Sequence, residues 1–116
     1  MTNRIRDVHV INHRLDPHET ELHIRVELES VGTTTEIKGR VIGPRSVHTT
    51  TVEIAYPMRE IARGNNYVEL RVVIPEACWW TPESPFLYHG PLELWEEGER
   101  LDRRELSHGI TTRLTA

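Results

Sequence analysis

At 116 residues the chain has the length of one domain and enough bulk to bury a modest core. Its net charge of −4, mixed in sign along the chain, excludes the basic stripe that nucleic acid requires. A single cysteine, Cys78, excludes an internal disulfide, and no apolar run is long enough to span a membrane. Packing alone must therefore hold the fold, as suits a reducing compartment. The opening Met1-Thr2-Asn3-Arg4 lacks the apolar stretch of a signal peptide, so the cytoplasm is the expected location.

The dominant period is two. Ile5 to Leu15 alternates imperfectly, as an edge strand does, and Asp16-Pro17 breaks it. Glu21 to Glu29 alternates without a break and predicts a strand with Leu22, Ile24, Val26 and Leu28 inside. After Val31-Gly32, the residues Ile37, Gly39 and Val41 repeat the pattern weakly, and Gly43-Pro44 punctuates it. His48 to Ile54 is rich in β-branched residues and predicts a strand with Val52 and Ile54 on one face. Tyr56 to Ala62 has slight helical character but is too short for a helix. Beyond Arg63-Gly64-Asn65-Asn66, the run Tyr67 to Ile74 places Val68, Leu70, Val72 and Ile74 on the core face. Leu87 to Trp95 and Arg100 to Leu106 flank a hairpin turn at Glu96-Glu97-Gly98-Glu99. Gly90-Pro91 predicts a bulge or bend inside the first of these two. About seven short strands with regular turn signals make an all-β fold, an immunoglobulin-like antiparallel sandwich. With no linker or repeat in view, residues 1–116 form one domain.

Between the last two pairs of strands lies Trp79-Trp80-Thr81-Pro82-Glu83-Ser84-Pro85-Phe86-Leu87-Tyr88. Its prolines stop both helix and ladder, while its aromatic residues favour burial. It reads as a rigid crossing from one sheet to the other. From Trp80 to Tyr88, followed by a strand, a Gly-Glu turn, another strand and Gly109-Ile110, the chain resembles the end of the immunoglobulin-like domain of glycoside hydrolase family 2. That family includes β-galactosidases, β-glucuronidases and β-mannosidases. The resemblance implies a non-catalytic module between a sugar-binding-like jelly roll and a catalytic (β/α)8 barrel, with both catalytic glutamates in the barrel. It also implies a buried, structural Trp80. His108 and Thr111 depart from the aromatic and the arginine that flank the family's Gly-Ile. This departure favours an alternative role, a free-standing module that binds a protein partner or a carbohydrate without a barrel.

No catalytic, cofactor or metal residue is expected. Retaining glycosidases hold two carboxylates about 5 Å apart across a sugar. The acids at 93, 97 and 99 look instead like outward strand and turn positions. Of the seven histidines, His9 and His13 share a strand face but lie about 13 Å apart along it, and a cross-strand pair such as His9 with His23 would still need further ligands. Cys78 reads as a small buried hydrophobe. Trp79 is either a sugar-stacking platform or a contact for a neighbouring domain. Together with Phe86, His108 and Ile110 it forms the expected contact surface. The partners this surface implies are a glycosidase's catalytic domain or subunit, or a second copy of the chain.

Overall fold

The computed structural model describes residues 3–46 and 48–111. The ends of the expected 1–116 domain, including the Met1-Thr2 part of the reading above, lie outside these. Eight strands follow in chain order: β1 (Ile5–Arg14), β2 (Glu19–Leu28), β3 (Thr35–Arg45), β4 (Ile54–Pro57), β5 (Arg59–Arg63), β6 (Tyr67–Pro75), β7 (Leu87–Glu96) and β8 (Glu99–His108). They form two antiparallel sheets, β1-β2-β6-β5 and β4-β3-β7-β8, in the arrangement of an immunoglobulin-type sandwich.

The alternation of β2 and β6 dictates the core. Their register pairs Leu22 with Val72, Ile24 with Leu70 and Val26 with Val68. These six residues, with Leu28 and Ile74, are each no more than 1% exposed. Ile37, Val41, Leu92 and Leu94 of the other sheet close over them. Each such side chain contributes about 1.5–3 kcal/mol of burial.

Four local expectations are corrected. His48 to Thr51 make no strand; pairing starts at Ile54, and Val52 is 85% exposed. The β-branched run has no neighbour to pair with, and Thr51 Oγ1 instead donates to the carbonyl of Pro44 at 2.6 Å. Tyr56 to Ala62 contains no helical turn. It holds β4, Met58 and β5, so the chain changes sheet within one residue, and this supplies the strand beyond the seven expected. Gly43-Pro44 lies inside β3. Gly90-Pro91 produces no bulge: Gly39 pairs with Leu92 and Ile42 with His89, so the register to β3 is the same on either side. Gly90 makes this fit, since a Cβ there would stand 2.0 Å from the Arg40 carbonyl oxygen. The irregularity of the β7–β8 ladder falls at Leu94/Trp95 instead.

The hairpin turn is as expected. Glu97 (φ 51°) and Gly98 (φ 77°) both take positive φ, the two-residue turn whose twist matches the strands. The β1 and β8 edges are laced together by side chains. Asp102 Oδ2 accepts from the Ile5 amide at 2.9 Å, and Arg104 Nη2 donates to the Ile5 carbonyl at 2.9 Å.

Candidate functional site

The crossing from β6 to β7 caps one end of the sandwich and meets the end of β8. It begins at Glu76, whose positive φ (50°) turns the chain and whose amide donates to His18 O at 2.9 Å. Ala77 then packs on the core. The next three residues are tied to the sandwich by hydrogen bonds. The Cys78 amide donates to the Tyr88 hydroxyl at 2.9 Å. Tyr88 is buried at the start of β7, like the corner tyrosine of immunoglobulin folds, and burial pushes its phenol up to about 12.

Trp79 packs on the core, and its indole N–H donates to Thr20 Oγ1 at 3.0 Å. Thr20 is fully buried, so this bond satisfies a hydroxyl that water cannot reach. Trp79 is half-buried. Trp80, expected to be buried, is half-buried. Its amide donates to Ile110 O at 2.7 Å, and its indole lies against Gly109. The loop then closes on itself: the amides and carbonyls of Thr81 and Ser84 bond reciprocally at 3.1 Å, and Thr81 Oγ1 accepts from the Ser84 amide at 3.0 Å. The Phe86 amide donates to Ser84 O at 2.9 Å.

Of the four residues expected at a contact surface, Ile110 is fully buried, a correction to its expected exposure. The Trp80 amide holds its carbonyl and turns its side chain into the core. Phe86 and His108 are half-buried at this end. His108 Nε2 lies 2.8 Å from Asn12 Oδ1, another tie between β8 and β1, and burial pushes its imidazole below the ordinary value. Because an amide oxygen only accepts, His108 Nε2 is the donor to Asn12 Oδ1.

The carboxylates of Asp7 and Glu27 come within 4.8 Å of each other beside His9, on side chains 55% and 41% exposed. Where a carboxyl's pKa is shifted, it is shifted down. The His18 amide holds Asp16 low, and Arg71, ahead of His23, holds Glu21 down to about 2. His89, Arg63 and the Trp95 indole hold Glu53, Glu60 and Glu93 low in turn. A general acid needs the opposite shift. His9 and His23 do not pair across the strands. His9 lies opposite Arg25, and His23 stacks on His13 at 3.9 Å.

The buried hydroxyl of Thr20 was legible in principle. It lies in phase with Leu22 and Ile24, and a hydroxyl on a core face calls for a donor or acceptor nearby.

A family model described as Glycosyl hydrolases family 2 matches residues 3–110. No curated protein gives a match. The fold is similar to that of part of a β-glucuronidase from Bifidobacterium dentium complexed with coumarin-3-O-glucuronide (TM-score 0.67, 17% identity, 94% of this chain and 18% of that one). It is also similar to part of a glycosyl hydrolase family 2 member from Bacteroides cellulosilyticus (TM-score 0.66, 15% identity, 93% of this chain and 15% of that one). A β-glycosidase from Bacteroides vulgatus gives a TM-score of 0.61 at 16% identity, covering 94% of this chain and 13% of its own. The chain thus spans less than a fifth of the length of these proteins.

Proposed function

The chain belongs to glycosyl hydrolase family 2, and we propose that it serves there as a non-catalytic immunoglobulin-like sandwich, a spacer and scaffold for a catalytic barrel in carbohydrate hydrolysis. The observation that carries this reading is the coverage: 94% of this chain corresponds to 18% of a β-glucuronidase, so most of such an enzyme lies outside this module. The depressed carboxyls support the non-catalytic part. The tied crossing supports the scaffold part, because Trp80 holds the chain where β8 ends and so sets the direction in which it leaves the sandwich.

The test is to detect, in cells that express this sequence, the polypeptide or complex that carries it. A barrel on the same polypeptide, or in a subunit that co-purifies with it, is expected. A lone chain without a barrel-bearing partner would overturn the proposal.

One observation favours the second reading, an assembly module. Ile54 and Ile61, 52% and 43% exposed, lie on the edge strands β4 and β5, where unpaired backbone and apolar side chains invite a partner or a second copy. Sedimentation at several concentrations separates the two: concentration-dependent dimerisation favours assembly through this edge.

A further inference from the structure

The outer face of the first sheet carries a donor set that the scaffold role does not use. The β1–β2 register pairs Ile11 with His23 and Arg14 with Glu21, with an irregularity between Asn12 and Arg14. That irregularity brings His13 beside His23, and the two rings stack at 3.9 Å and 10°. Glu21 projects from the same face of β2. Its carboxylate is divided: Oε1 accepts from Arg71 Nη2 at 3.0 Å, while Oε2 lies 2.6 Å from His23 Nε2 and 3.8 Å from His13 Nε2.

We propose that His13, Glu21 and His23 bind one divalent ion of the zinc, nickel or copper class. One ligand atom from each residue lies within 4.8 Å of the other two. An ion at about 2.0–2.2 Å from each donor would set them about 3.0–3.5 Å apart, and the observed 2.6 and 3.8 Å straddle that span. Two imidazoles with one carboxylate suit borderline transition metals, whereas magnesium and calcium take oxygen donors. Arg71 occupies the far oxygen and orients the carboxylate with Oε2 toward the imidazoles, as an outer partner of a metal ligand does.

Stacked rings do not share a plane, and each ligating imidazole must hold the ion in its own plane, so one ring tilts on binding. His13 is the one free to do so: it stands on an edge strand with its side chain 54% exposed, against 19% for His23 and 14% for Glu21. The proton between His23 Nε2 and Glu21 Oε2 leaves to solvent as the ion replaces it. Three protein donors leave at least one position for water or another ligand.

The same sheet face holds an internal control. Asp7, His9 and Glu27 also converge, but with one imidazole and side chains 41–55% exposed. Zinc titrated calorimetrically into the full chain at about pH 7.5, where an ordinary imidazole is neutral, should bind one ion per chain, and magnesium should give no signal. His13→Gln and His23→Gln should each weaken zinc at least about tenfold, while His9→Gln leaves it unchanged. Ring-proton NMR signals of His13 and His23 should shift with zinc. Absence of zinc binding, or zinc affinity retained in both His13→Gln and His23→Gln, overturns the assignment, as does loss of binding in His9→Gln. Should His23→Gln fail to fold, exposed His13→Gln decides the matter alone.

Discussion

Gly109 exists to admit Trp80. A Cβ on Gly109 would stand 2.9 Å from Cδ1, 3.0 Å from Cγ and 3.2 Å from Cβ of Trp80. The indole cannot withdraw easily, because its own backbone is bonded to the next residue, Ile110, at 2.7 Å. Gly109→Ala should therefore destabilise the sandwich by about 1–3 kcal/mol through overpacking, read by urea unfolding. In a Trp80→Ala background most of that cost should disappear, giving a clear coupling in the double-mutant cycle. Additive effects would mean that the two residues do not press on each other.

Trp79 and Tyr88 make two further ties of the crossing. Trp79→Phe keeps an aromatic ring, though a smaller one, but leaves Thr20 Oγ1 without its donor, and should cost about 1–3 kcal/mol in unfolding free energy. Adding Thr20→Val should recover part of the loss. Tyr88→Phe should cost a similar amount by orphaning the Cys78 amide.

His108 gives a pH signature. Folding lowers its pKa, so the folded state prefers the neutral ring. The contribution is fully present above the unfolded imidazole value of about 6.5. As pH falls through that value the unfolded chain takes up the proton first, so stability falls until the folded value is passed. His108→Gln should make the loss of stability between neutral and mildly acidic pH shallower than in the parent. Parallel stability curves for the two proteins would place the acid sensitivity elsewhere.

The hairpin carries a removable strain. Glu97 adopts positive φ, which costs a side chain with a Cβ but suits asparagine and glycine. Glu97→Asn should raise stability by up to about 1 kcal/mol, visible as a higher denaturant midpoint with unchanged slope.

The residues whose fate was legible are those for which period two and burial agree. Leu22 to Leu28 and Val68 to Ile74 alternate cleanly because one face is core and the other solvent, and no partner identity is needed to say so. His48 to Val52 misled for the complementary reason: β-branched preference is local, whereas a strand needs a neighbour, and the chain provides one only from Ile54 onward. The reach of the Trp79 crossing was readable from its prolines and aromatics. The partner of the Trp79 indole was not, since Thr20 is 59 residues away in sequence and 3.0 Å away in space. The His13–His23 stack was hidden for a similar reason, because a register irregularity at Asn12/Arg14 leaves no mark in composition.

The central claim is that the chemistry of this family 2 module lies outside it. The most direct measurement is steady-state hydrolysis of nitrophenyl β-galactoside, β-glucuronide and β-mannoside by the purified full chain. Turnover should not exceed the buffer control. Hydrolysis that disappears when a single glutamate of this chain is changed to glutamine, with the fold intact by circular dichroism, would contradict the account.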